Sequence, residues 1–412
     1  MRRTEAVAVA AIAAGAWLLF GRLLAPFDLM AFLTAGRQVL HGYSPYAAVT
    51  TAVFRSGHAF VYPYAVAWLF APLSALPTHA AVLAYSALSV GAIVAGCHLL
   101  SGRRSRAAVL VLVCSTTIVG LQMGTLNALL LLGLAAAWKY RDRPLVCGVI
   151  VGILAVAKLF LVPVAVWLVL RRRFRAAAAA VLTGAAVLAA GFVVGPMGPA
   201  RYLRMLSALQ GQEATRSWSL TSLFRNVGLG PHVALAGALA VGAVVLACGQ
   251  RLGRGEPALF GAAVLASLLI SPIVWSSYLV LLAVPLLAAG AGDGVLVTLA
   301  VGSWLLVTPD AASWARTATG AAAALVVAAG VVVPRMRRGA GIVEGALLWA
   351  KARTGVQAGR GWRWTGAALG GVALGATMVL LPLTARTPFA VAVASLAVLS
   401  RTTRREARPA AA

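Results

Sequence analysis

Hydrophobic residues along this chain come in long blocks rather than in the strict alternation of half-buried strands. Apolar runs of about 13–21 residues recur to the end of the sequence, where a bilayer-spanning helix takes about 20, with a range of 17–25. The runs fall near 7–24, 80–100, 107–121, 124–138, 145–158, 159–170, 176–195, 233–250, 257–270, 278–291, 294–307, 317–333, 365–382 and 388–400. Several are short of a full span, so neighbours are expected to fuse or to re-enter. The pattern predicts an all-α, polytopic integral membrane bundle of about 12–14 transmembrane segments.

Two polar intervals interrupt the blocks, at about 25–79 and 196–232. In the first, Leu29, Phe32, Leu33 and Leu40 share one helical face while Asp28, Arg37, Gln38 and His41 point elsewhere, as for an interfacial helix. His41-Gly42 reads as its end, since glycine accepts the left-handed backbone of a C-cap. The second interval carries Arg201, Tyr202, Arg204, Gln210, Gln212, Glu213, Arg216, Trp218 and Arg225. Residues 1–333 then form a bundle, 334–364 a basic cytoplasmic segment whose Ile342 to Val356 suits an amphipathic helix on an anionic leaflet, 365–400 further spans and 401–412 a disordered basic tail. The opening Met1-Arg2-Arg3 and the run that follows read as a retained first helix rather than a cleaved signal peptide.

Composition agrees with a membrane chain: 61% of residues are hydrophobic and 11% charged, against about 45–50% and about 25% in soluble domains. The net charge of +26 points at first to nucleic acid, but the basic residues sit in short clusters between apolar runs. With a cytoplasmic N-terminus, 25 of the 35 basic residues fall on inside segments and eight on outside loops. That split fits the positive-inside rule and excludes a nucleic-acid partner. It predicts a multi-pass plasma-membrane protein with both termini cytoplasmic and the two polar intervals outside. Cys97, Cys114, Cys147 and Cys248 lie within apolar runs with no metal-ligand spacing, so neither a zinc site nor a disulfide framework is expected.

Only nine residues are acidic, which singles out Asp28 at the mouth of the bundle. A carboxylate there caps a helix or removes a proton from a substrate hydroxyl. Lys158 lies inside an apolar run, where an unpaired ammonium is costly; it either snorkels to the interface or neutralises an anionic ligand. Arg216 and Arg225 are solvated loop charges or forked donors to the same anion. Tyr46, Tyr62, Tyr64, Trp218, Trp275 and Tyr278 form an interfacial belt or line a ligand site. Asn127 bonds a ligand or caps the following helix, and His41 caps its helix or lines the site.

In matching order from about residue 20 to 290, short motifs resemble the integral-membrane glycosyltransferases of family 87, within the GT-C superfamily. They are the Asp28 helix with Leu40-His41-Gly42-Tyr43-Ser44-Pro45-Tyr46, Phe60-Val61-Tyr62-Pro63-Tyr64, Ala71-Pro72-Leu73-Ser74-Ala75-Leu76-Pro77 and Gly124-Thr125-Leu126-Asn127. Lys158 within Gly152 to Lys158, the Arg171-Arg172-Arg173-Phe174-Arg175 loop, Ser219-Leu220 with Arg225, and Ser271-Pro272-Ile273-Val274-Trp275 complete the set. Where the family often has Tyr-Pro-Pro, Gly-Gln-x-Asn and Trp-Asp-His-His, this chain has Tyr62-Pro63-Tyr64, Gly124-Thr125-Leu126-Asn127 and Trp275-Ser276-Ser277-Tyr278.

The resemblance implies a GT-C-like bundle that moves a hexose, mannose foremost, from a polyprenyl-phosphate donor to a lipid-linked or cell-envelope glycan acceptor outside the membrane, with inversion. Asp28 would be the general base. Lys158, Arg225 and Arg216 would hold the donor phosphate, and Tyr46, Tyr62, Asn127, Trp275, Tyr278 and His41 would surround the sugar or acceptor. No cofactor is implied, and the outside acidic residues Asp28, Glu213 and Asp310 are too scattered for a metal. The rival expectations are a transporter or flippase of lipid-linked glycan precursors and a non-catalytic envelope scaffold. Polar residues concentrated on one face favour the enzyme over a transporter, which needs two gated faces.

Overall fold

The computed structural model describes residues 26–102, 105–213, 217–251 and 255–291, together with 295–296, 299–300 and 303. Every regular element among them is helical. The first polar interval folds into α1 (Phe27–Leu40), the short α2 (Ala52–Arg55) and α3 (Tyr64–Ser74). The bundle continues through α4 (Thr78–Ser101), α5 (Ser105–Leu112), α6 (Ser115–Met123), α7 (Asn127–Lys139), α8 (Pro144–Ala157), α9 (Val162–Leu170) and α10 (Phe174–Val194). The second polar interval holds α11 (Pro199–Glu213) and α12 (Leu220–Asn226), followed by α13 (Pro231–Arg251), α14 (Glu256–Ile270) and α15 (Ala283–Ala288).

Three of these helices, α4, α10 and α13, are long and apolar enough to cross a membrane, and α5 with α6 makes a fourth if that pair, bent by 66°, is one span. The run expected at 107–121 is thus broken: Cys114 adopts an extended backbone between α5 and α6. The runs expected at 145–158 and 159–170 part at Lys158, also extended, before a 3-10 turn over Leu159–Leu161. Both polar intervals contain more helix than their composition indicated. The expected runs at 7–24, 317–333, 365–382 and 388–400, most of 294–307, the segment 334–364 and the tail 401–412 lie outside the described residues.

Small residues let helices approach closely. A Cβ at Gly148 would stand 2.4 Å from the Ala176 carbonyl oxygen, and one at Gly152 would stand 2.6 Å from that of Ala180, so α8 and α10 meet backbone to backbone. One end of the bundle is closed by charge. Arg141 reaches Glu256 at 3.3 Å, while Arg173 reaches Asp142 and Glu256, each at 3.0 Å. Arg141 also lies 4.4 Å over the Trp138 ring, which packs with Trp167 and Phe260. Three segments grouped on the inside by their basic residues (139–144, 171–175 and 249–256) therefore meet at one place.

α1 corrects the expectation of an interfacial helix. Its apolar stripe is Leu29, Phe32, Leu33, Gly36 and Val39, and it is buried against α3 rather than offered to lipid. A Cβ at Gly36 would lie 2.9 Å from the Phe70 backbone, and Arg37 donates to the Ser74 carbonyl and the Thr78 hydroxyl, each at 3.2 Å. Leu40 falls off the stripe and is exposed. The helix ends at His41 as expected: Gly42 has φ +74°, and the amides of Gly42 and Tyr43 return to Val39 and Gln38 in a Schellman arrangement.

Candidate functional site

Asp28 sits in the first turn of α1, whose N-cap is Pro26 with no side-chain capping bond. Its carboxylate therefore does no capping, and among the described residues it has neither a hydrogen bond nor an ion pair. Its place is set by the next residue. Gly124 ends α6 with a left-handed backbone (φ +67°), and a Cβ there would lie 2.5 Å from that of Leu29. Glycine is thus required at this turn for both conformation and space. The Gly124–Asn127 loop presses directly on the base of α1.

From that position the Asp28 carboxylate acts electrostatically on Lys158, Tyr62, Tyr85 and Tyr278. Burial raises its pKa above the usual aspartate value, and the Lys158 ammonium offsets this only in part. Desolvation penalises the charged form, whereas a nearby cation favours it.

Lys158 reaches the same place from the break between α8 and the following 3-10 turn. It is 9% exposed. Its Nζ donates to the Tyr278 hydroxyl at 2.5 Å and lies 4.7 Å from the Tyr62 ring centroid and 4.3 Å from that of Tyr278. Lys158 thus points inward rather than snorkelling. Phe160 stacks on Tyr278 with centroids 5.4 Å apart. An ammonium has three donors, and only one finds a protein acceptor among the described residues. Among the described residues, the arrangement sets an unengaged carboxylate and an under-used ammonium in one buried neighbourhood.

The other candidates divide around this core. Tyr62 is a wall of the site. Tyr46 is a support: its hydroxyl donates to the Tyr62 carbonyl at 3.1 Å, and its ring packs on Phe60 and Tyr202. The loop aromatics continue into a buried spine through Phe32 and Phe70 to Tyr85. Asn127 is 2% exposed. It caps nothing; its Nδ2 donates to the Ser277 hydroxyl at 3.1 Å and its Oδ1 has no partner. Trp275, 37% exposed, stands on extended backbone one turn before Tyr278, whose amide bonds its carbonyl at 2.9 Å.

His41 lies at the far end of α1, about 20 Å along the helix from Asp28 at 1.5 Å per residue, with Nδ1 2.7 Å from the Arg37 carbonyl. It belongs to the cap rather than to this cluster. Arg225 occupies the last turn of α12; among the described residues no hydrogen bond or ion pair joins it to Lys158. Its helix is nevertheless strapped to the Tyr278 segment, because Ser219 donates to the Pro272 carbonyl at 2.8 Å and the Trp218 amide to that of Val274 at 2.7 Å. Arg216 lies outside the described residues.

Sequence reading missed Tyr85, Phe160 and Ser277. Tyr85 lies midway along an apolar helix and donates to the Thr125 carbonyl at 2.8 Å; an isolated tyrosine in such a run is its only signal. Ser277 stood within the recognised Ser271 to Tyr278 stretch, but its partner is 150 residues away.

The sequence model of glycosyltransferase family 87 matches residues 60–272, just over half of the chain. No curated protein and no solved structure matches it.

Proposed function

We propose, from the premise that this chain belongs to glycosyltransferase family 87, that it transfers a hexose, mannose foremost, from a polyprenyl-phosphate donor to a lipid-linked or cell-envelope glycan. The family makes the chain a membrane glycosyltransferase. The donor, acceptor and chemistry are our reading of the site. The observation that carries it is the coexistence, among the described residues, of an unpaired Asp28 carboxylate and a buried Lys158 ammonium with unspent donors.

A sugar hydroxyl is a poor nucleophile until a base takes its proton. Asp28 accepts that proton as the hydroxyl oxygen bonds to the anomeric carbon. The bond from that carbon to the donor phosphate breaks, and the electron pair leaves on the phosphate. Direct displacement inverts the anomeric centre. Lys158 neutralises charge growing on the leaving phosphate, where a fixed cation in a low-dielectric site is most effective. Arg225 and Arg216 are further candidate ligands to the phosphate, and exposed Trp275 offers a stacking face to a sugar. The prenyl chain stays in the bilayer, and the chemistry faces the outside. The site as read needs no metal or other cofactor.

Purified protein in detergent is given labelled prenyl-phosphate mannose and lipid-linked acceptors. The expected result is a new labelled glycolipid with inverted linkage, formed in chelator. Donor translocation in sealed vesicles without any transfer product, as a flippase gives, overturns the proposal.

A further inference from the structure

Asp28 and Lys158 are opposite charges that sense each other in a buried site, yet no nitrogen–oxygen approach within 4 Å joins them. In a low-dielectric interior, attraction between opposite charges is strong and favours closing a flexible lysine onto the carboxylate. Something therefore holds the ammonium elsewhere. The Lys158 Nζ is bonded to the Tyr278 hydroxyl and lies against the rings of Tyr278 and Tyr62. Both rings are fixed from behind. Phe160 stacks on Tyr278, Phe32 packs on Tyr62 at 4.9 Å, and the Tyr46 hydroxyl holds the Tyr62 carbonyl.

We infer that Tyr62 and Tyr278 are positioning residues that keep the Lys158 ammonium off Asp28, so that the carboxylate stays basic and the ammonium stays available to an anion. This rests on the reading of the site as a transferase centre, but the positioning itself is a property of the substrate-free protein. An oxygen acceptor and two π-faces satisfy much of what the ammonium loses on leaving water. They carry no full negative charge, so they give the cation up to a phosphate more readily than a carboxylate would. A closed Asp28–Lys158 pair would quench both groups. The groups facing Asp28 in this arrangement are Lys158, Tyr62, Tyr85 and Tyr278.

The test reads the protonation of Asp28 directly. Infrared difference spectra of the full-length protein, with Asp28→Asn used to assign the carboxyl band, give the Asp28 titration midpoint. Tyr278→Phe keeps the ring, its stacking on Phe160 and the cation–π contact but removes the acceptor oxygen. Release of Lys158 toward Asp28 is expected to lower the midpoint by at least about one pH unit, the effect of an opposite charge brought within a few ångströms. Adding Lys158→Met should abolish that drop.

Tyr62→Leu, which removes the other π-face, should move the midpoint in the same direction by less and serves as the second variant should Tyr278→Phe not fold. An unchanged or raised midpoint in the folded variant overturns the inference. Because the readout needs no turnover, failure of the transferase reading shows separately, as wild-type protein that forms no transfer product from the prenyl-phosphate donor.

Discussion

The two ends of α7 and α8 hold the same kinds of side chain in opposite states. At one end Arg141, Arg173, Asp142 and Glu256 close on one another at 3.0–3.3 Å. At the other, about 20 Å away along a 13-residue helix, Asp28 and Lys158 remain open. The closed end joins three loops through Arg141, Arg173, Asp142 and Glu256. The open end keeps a carboxylate without a partner among the described residues and a cation resting on tyrosines. Charges that pair are read as structure, and charges held apart are read as chemistry, because an unsatisfied buried charge persists only where its surroundings hold it.

The comparison fails outright if both ends lie on one side of the membrane. In a background free of the four native cysteines, Arg204→Cys on exposed α11 should be labelled by an impermeant reagent from outside, and Arg171→Cys should be labelled only after lysis. These positions are exposed, whereas Glu213, on the same helix as Arg204, is buried. Reversed labelling would place the Asp28 end in the cytoplasm.

The next largest effect belongs to the base. Asp28→Asn should leave folding and donor binding intact while slowing transfer at least about 100-fold, the usual scale of general acid–base catalysis. Rates close to wild type in a folded variant would remove Asp28 from the chemistry. The same residue sets the acid limb of the pH–rate profile. Burial raises its pKa, and a protonated carboxyl accepts no proton, so activity should fall on acidification at a pH above the usual aspartate value of about 3.9. A limb at or below that value would show an ordinary solvated carboxylate.

Lys158→Met should raise the donor KM by about tenfold, in line with loss of a charge-assisted hydrogen bond, with acceptor KM little changed. Equal effects on both substrates would separate Lys158 from the phosphate. At the closed end Glu256→Gln should do the converse. We expect a loss of about 1–3 kcal/mol in stability, below the value for a fully buried pair because its partners are partly solvated. The expected readout is a lower unfolding temperature with transfer per folded molecule within about twofold of wild type. A selective loss of activity would make the two ends less distinct than their geometry implies.

Near-neighbour chemistry was readable from the sequence. Block hydropathy marks a helical membrane protein, Gly42 and His41 mark the end of α1, and the ordered motifs mark the family, because each depends on residues a few positions apart. The sequence also singled out Asp28 and Lys158, as charges in places where charge is scarce. It did not show the break at Cys114, since Ala-, Val- and Leu-rich runs read alike whether the backbone continues or bends.

Packing alone decided which side chains meet. Lys158 and Tyr278 are 120 residues apart and Asn127 and Ser277 are 150 apart, distances over which no local periodicity carries information. Tyr46 became a support and Tyr62 a wall because α1 docks on α3. His41 fell to the far end of α1 because a helix advances 1.5 Å per residue whatever its side chains. The sequence determined by itself which groups are costly to bury; the tertiary structure decided which of them were paired and which were left open, because pairing needs an approach of a few ångströms that only the packed helices set.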